Sequence, residues 1–196
     1  IADKAWKVGP MQVLEIPTAG DFERKQAFSC SAWIRLPKDR RSGAVVARMD
    51  DRNGFRGWDL WVEDGRVGGH VIHRWPDDAL KAVSTKPAIQ PERWHHVCVT
   101  HDGSGKAAGM KVYVDGAARE TRASQNALAG TIRTEAPLTI GQRRTGSRLD
   151  GMAVQDVRIY GRALSADEVK HLVRDSRIPW LVAKPAAKRS EGEQKD

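Results

Sequence analysis

Apolar and polar residues alternate with a period of two along most of this chain, and that alternation predicts strands. In Phe28-Ser29-Cys30-Ser31-Ala32-Trp33-Ile34, one face collects Phe28, Cys30, Ala32 and Ile34, as in a strand with one side toward a core. Comparable runs predict strands near 12–16, 27–36, 44–49, 58–63, 66–73, 79–84, 94–101, 110–114, 117–121, 137–140 and 151–160. Asp64-Gly65 and Asp115-Gly116 stand between such runs and predict tight hairpins, because this pair tolerates positive φ. The spacing is that of an all-β fold with two antiparallel sheets packed as a sandwich.

One short C-terminal helix completes the pattern. Ser165 can cap it, Glu168 stands three residues on to close a capping box, and Val169, Leu172 and Val173 form its apolar stripe, so a helix over 165–174 is expected. After Pro179-Trp180 the composition turns to Lys, Ala, Pro, Glu, Gln and Gly, too polar to offset the entropy of ordering. The expected organisation is one domain over 1–182 and a polar linker or tail over 183–196. The chain starts at Ile1 and is expected to be a module of a longer protein.

Charge changes this picture little. The formal net charge is +8, but most Lys and Arg alternate with Asp and Glu. The tight basic groups, Lys38-Asp39-Arg40-Arg41, Gln142-Arg143-Arg144 and Lys188-Arg189, fall in expected loops or tail. Without a zinc-finger spacing, a recognition-helix pattern or an RNA-binding aromatic signature, specific nucleic-acid binding is not expected. Nor is membrane insertion, since no run approaches eighteen apolar residues. A bridge between Cys30 and Cys98 would need neighbouring strands with both side chains turned toward each other.

Four blocks carry a family resemblance: Phe28-Ser29-Cys30-Ser31-Ala32-Trp33-Ile34, Trp94-His95-His96-Val97, Lys111-Val112-Tyr113-Val114-Asp115-Gly116, and Asp156-Val157-Arg158-Ile159-Tyr160-Gly161-Arg162-Ala163-Leu164-Ser165. In this order, with Leu138-Thr139-Ile140-Gly141 before the last, the chain resembles the laminin G-like domains of the concanavalin A-like lectin/glucanase superfamily. The resemblance implies a jelly-roll sandwich. Gly57-Trp58-Asp59-Leu60-Trp61 and His73-Arg74-Trp75-Pro76-Asp77-Asp78-Ala79-Leu80 look like a narrower set, the module of Planctomycete cytochrome C domain proteins. That likeness implies an extracytoplasmic parent, periplasmic or at the cell surface, with haem only in its other domains.

The superfamily's polysaccharide-cleaving enzymes take a carboxylate pair from one strand, written Glu-x-Asp-x-x-Glu; retaining chemistry needs the two groups about 5–5.5 Å apart. No such run is present, so hydrolase activity is disfavoured for this fragment. Neighbours His95 and His96 project to opposite faces of a strand, as do His70 and His73, which prevents joint metal ligation. Calcium is the commoner ion of the superfamily; the acids expected for it are largely missing, leaving Asp150 and Asp156 as weak candidates.

A Trp-rich stretch remains. Alternation sends Trp58, Leu60 and Val62 to the core and Asp59, Trp61 and Glu63 to the opposite face. Sugar-binding grooves pair an aromatic platform with planar polar groups, which makes Trp61, His73 and Trp75 the leading candidates, joined by Arg48, Arg74 and Asp59. Arg52 and Arg143 add positive charge, so the ligand expected is a glycan, possible anionic ones included. The competing expectation is a structural domain whose Trp-rich face docks on neighbouring domains of the same chain or on a protein partner.

Overall fold

On Phe28–Arg35 the four residues Phe28, Cys30, Ala32 and Ile34 all enter the main apolar core, and the other long strands repeat this division of faces. The structure, a computed structural model, describes residues 5–39 and 42–189. Arg40 and Arg41 of the first basic group, and the tail from residue 190, lie outside the described residues. In chain order the strands are β1 (Trp6–Lys7), β2 (Leu14–Ile16), β3 (Phe28–Arg35), β4 (Gly43–Asp50), β5 (Arg56–Glu63), β6 (Arg66–Arg74) and β7 (Asp78–Ser84). They continue as β8 (Trp94–His101), β9 (Met110–Val114), β10 (Ala117–Arg119), β11 (Thr121–Ala127), β12 (Leu138–Ile140) and β13 (Ala153–Tyr160), followed by helix α1 (Ala166–Ala183).

The strands form two sheets in the orders β1-β13-β3-β8-β9-β10 and β11-β7-β6-β5-β4-β12-β2, with antiparallel pairing throughout. This is the all-β jelly-roll sandwich with a short C-terminal helix. Between the sheets, Phe22 stacks on Phe28 with centroids 4.6 Å apart and Trp58 leans on both rings. Trp58 satisfies its indole N–H by donating to the Gly20 carbonyl at 2.7 Å. Both Asp-Gly turns have two consecutive positive φ angles, 49° and 78° at Asp64-Gly65 and 53° and 79° at Asp115-Gly116, as two-residue hairpins require.

Three elements depart from the expected pattern, the first being β1, a two-residue strand too short to show alternation. The single strand expected at 117–121 is two: β10 ends the first sheet, and beyond Glu120 the chain crosses to the second sheet as β11. β11 is a mostly exposed edge strand with no apolar face to bury, so it leaves no alternation to read. The helix also runs past residue 174 to Ala183, because it gains contacts beyond its first apolar stripe: Trp33 Nε1 donates to Ser176 Oγ at 2.8 Å and Leu181 is buried.

Helix α1 decides which outer face is left open. Its capping box forms in both directions, Glu168 N–H donating to Ser165 Oγ at 3.2 Å and Ser165 N–H to Glu168 Oε2 at 2.8 Å. Val169 and Leu172 pack with Leu164 on Cys98 and Tyr113, closing the outer face of the first sheet. Cys30 and Cys98 are both free, one in the inter-sheet core and the other beneath the helix. Their strands are neighbours, but Cys98 stands opposite Ser31 rather than Cys30, so the two thiols occupy opposite faces.

His95 and His96 likewise part company. The Nδ1 of His95 bonds Asp115 Oδ2 at 2.8 Å while its Nε2 accepts from the Gln90 N–H, so the ring ties its strand to the second hairpin turn. His96 meets the edge of Trp33 on the other face, and burial pushes its imidazole down to about 4. The Trp-His-His strand is thus occupied with holding the first sheet together. Among the described residues no helix lies over the outer face of the second sheet.

Candidate functional site

Strand β5 turns Trp58, Leu60 and Val62 inward, leaving Asp59, Trp61 and Glu63 on the open side. Pairing sets the rest of the floor: Asp59 stands opposite His70 of β6, His70 opposite Lys81 of β7, and Ile72 opposite Ala79. Ile72, Ala79, Ala44, Ala47 and Met49 form an apolar patch on this side, and Phe55, Trp61 and Trp75 pack against it. Arg143 reaches over the sheet from the loop after β12. The result is a cleft of about 220 Å³ walled chiefly by Phe55, Trp61, His70, Trp75, Lys81 and Arg143.

Asp59 organises this face from below. Its side chain is wholly buried; Oδ1 accepts from the His70 N–H at 3.0 Å and faces His70 Nδ1 at 2.8 Å. Oδ2 accepts from Nε and Nη2 of Arg143 at 3.0 and 2.7 Å. Burial alone would raise the carboxyl, but the His70 and Arg143 partners outweigh it and hold Asp59 at about 2.

The same grip sets the walls. The Arg143 guanidinium lies 4.5 Å from the centroid of Trp61 and 5.3 Å from that of Phe55. His70 meets Trp61 and Trp75 edge-on at 5.5 and 5.7 Å. Glu63 accepts from Lys81 Nζ at 3.0 Å and from Trp61 Nε1 at 3.3 Å. Both carboxylates nearest the cleft are therefore engaged by cations.

The candidates drawn from the sequence do not all gather here. Trp61 and Trp75 wall the cleft, with Asp59 beneath it. His73 lies on the other side of β6, its Nδ1 2.7 Å from the Thr131 carbonyl and its ring flat against Gly130. Arg48 is buried and turns inward at the sheet end, where it donates to the carbonyls of Pro17, Ala19 and Thr134. Arg52 and Arg74 are exposed outside the cleft lining. Asp150 pairs with Arg148 and Asp156 with Arg158, each two residues away, and no three acidic, His or Cys side chains converge among the described residues. That arrangement does not fit the oxygen cage of a calcium ion.

Phe55, His70 and Lys81 enter the cleft without having stood among the leading candidates, and Arg143 had counted only as nearby charge. For His70 the signal was available. A two-residue turn at Asp64-Gly65 pairs Glu63 with Arg66, and stepping outward by twos pairs Trp61 with Gly68 and Asp59 with His70. For Arg143 the sequence offered its charge but not its bond to Asp59, because 84 residues separate the two.

A family model described as the concanavalin A-like lectin/glucanases superfamily, laminin G type, matches residues 9–170. No curated protein matches the chain. Among solved structures, the Ruminococcus gnavus IT-sialidase CBM40, bound to alpha2,3 sialyllactose, is 11% identical with a TM-score of 0.66, over 86% of this chain and 96% of that one. The botulinum neurotoxin serotype G binding domain is 16% identical (TM-score 0.61, 87% of this chain, 42% of that one). The binding domain of Paraclostridial Mosquitocidal Protein 1 is 18% identical (TM-score 0.63, 84% and 40%). The chain thus spans about two fifths of either toxin domain, and at these identities the likeness is one of fold. Among the described residues no helix is long and apolar enough to cross a membrane.

Proposed function

This chain belongs to the laminin G-like branch of the concanavalin A-like lectin/glucanase superfamily, and on that premise we propose that it is a non-catalytic recognition module that binds carbohydrate in the Trp61–Trp75 cleft. The observation that carries the reading is the open face of the second sheet. It holds aromatic rings, an arginine and a histidine fixed by one buried carboxylate, with nothing of the described fold covering them. Rings of this kind take the apolar face of a sugar while planar polar groups take its hydroxyls. The sialyllactose bound by a domain of the same fold supports the choice of ligand class. The parent is proposed to be a larger extracytoplasmic protein of the cytochrome C domain type, to which this module lends binding rather than chemistry.

A glycan array followed by calorimetry tests the reading. Trp61→Ala and Trp75→Ala each weaken binding on the order of tenfold, the loss expected when one aromatic platform goes. Both side chains are only partly buried and sit outside the main core, so the variants keep the fold. A protein that is folded and binds no glycan overturns the proposal.

In that event a second reading takes over, and one feature favours it. Val13, Leu14 and Ile16 are 42%, 41% and 37% exposed along the unpaired edge of β2, beside a fully projecting Met11. An apolar, unpaired strand edge suits docking on a neighbouring domain or protein partner.

A further inference from the structure

Both cations of the cleft are already matched. Arg143 spends Nε and Nη2 on Asp59, and Lys81 gives its ammonium to Glu63. Opposite charges at contact distance largely cancel one another's field, so the cleft gathers anions poorly despite its arginine and lysine. An anionic ligand would also have to compete with carboxylates that hold short, charge-assisted hydrogen bonds.

What the cleft leaves open is directional. Nη1 of Arg143 has no partner among the described residues and is not wholly cut off from solvent, so the guanidinium keeps a free donor where it lines the cleft. The 2.8 Å approach of His70 Nδ1 to Asp59 requires the proton on Nδ1, and the neutral ring then carries its lone pair on Nε2. Nε2 is likewise unpartnered among the described residues, on a ring that lines the cleft and is almost wholly buried. Arg143 Nη2 lies 3.3 Å from Nδ1, a contact between two donors, which puts guanidinium and imidazole side by side.

A donor and an acceptor that line the same cleft can be answered by two neighbouring hydroxyls. One oxygen accepts from the guanidinium, and the other hydroxyl gives its proton to the imidazole. A carboxylate or sulfate has no proton for Nε2 and would set acceptor against acceptor. We infer that the cleft selects neutral saccharides that present a vicinal diol, read by Arg143 as donor and His70 as acceptor, with Trp75 taking the apolar face of the sugar ring. The inference rests on the carbohydrate-binding reading and narrows its ligand class.

The test applies the protein to an array of neutral oligosaccharides, each with a sulfated and a uronic-acid counterpart, and titrates the hits at about 50 and about 500 mM NaCl. Neutral sugars are expected to bind, with affinity changing less than about threefold across that range. O-methylation of either diol hydroxyl is expected to weaken binding on the order of tenfold, since it leaves a hydrogen-bonding group unanswered. Preference for the sulfated or uronic counterparts, still lost in Trp75→Ala, overturns the inference and leaves the carbohydrate reading intact. Indifference to O-methylation overturns it equally. Absence of any glycan binding at the cleft overturns both.

Discussion

Asp59 has no exposed side-chain surface yet stays ionised, because the His70 N–H, the His70 ring and the Arg143 fork all converge on its two oxygens. Its value of about 2 in the folded chain lies below the ordinary 3.8. A depressed carboxylate stabilises the fold fully above 3.8 and loses that contribution as pH falls through about 2. Asp59→Ala strands a guanidinium that is only 9% exposed, and removing one partner of a buried pair costs about 3–5 kcal/mol. Urea denaturation at neutral pH checks the loss, and repeating it from pH 4 toward pH 2 checks the sign: the gap between wild type and variant narrows as Asp59 protonates. At this scale half the site was legible. Alternation alone put Asp59 and Trp61 on the open face and parted His70 from His73, whereas deciding which histidine joins that face required the register of the Asp64-Gly65 hairpin as well.

Helix α1 begins where its capping box predicts and ends later than its apolar stripe does. Ser165→Ala removes the acceptor for the Glu168 N–H and is expected to cost about 1 kcal/mol, read as a lower thermal midpoint. An unchanged midpoint would mean that packing on Cys98 and Tyr113 alone sets the start of the helix. Elements that bury one face announce themselves by period, which is why the central strands lie close to their expected bounds. β11 buries no face, and its place at the sheet edge is fixed by pairing with β7, an interaction of backbone groups that every sequence carries. The helix extension depends on Trp33 meeting Ser176 across 143 residues, which no local window contains.

Across the whole molecule, the two sheets differ in what lies on their outer sides. The first is roofed by the helix and ties His95 of its Trp-His-His strand to Asp115; the second, with no helix over it among the described residues, carries the cleft. The family blocks fall largely on the roofed sheet and therefore report the fold. The cleft is assembled from β5, β6, β7 and three loops, which carry Phe55, Trp75 and Arg143, so its membership becomes visible only in three dimensions.

The two thiols record these layers separately. Burial pushes Cys98 up to about 12 and Cys30 well above its usual range, so neither reacts until its cover opens. Lifting the helix bares Cys98 while the sheets stay closed, and only parting the sheets bares Cys30. Alkylation under native conditions, followed by intact-mass spectrometry, is expected to yield a singly tagged species at Cys98 before any doubly tagged one. Simultaneous tagging would mean that roof and sandwich open as one cooperative unit. Two free cysteines in separate layers thus give the molecule a built-in clock for telling local opening from global unfolding.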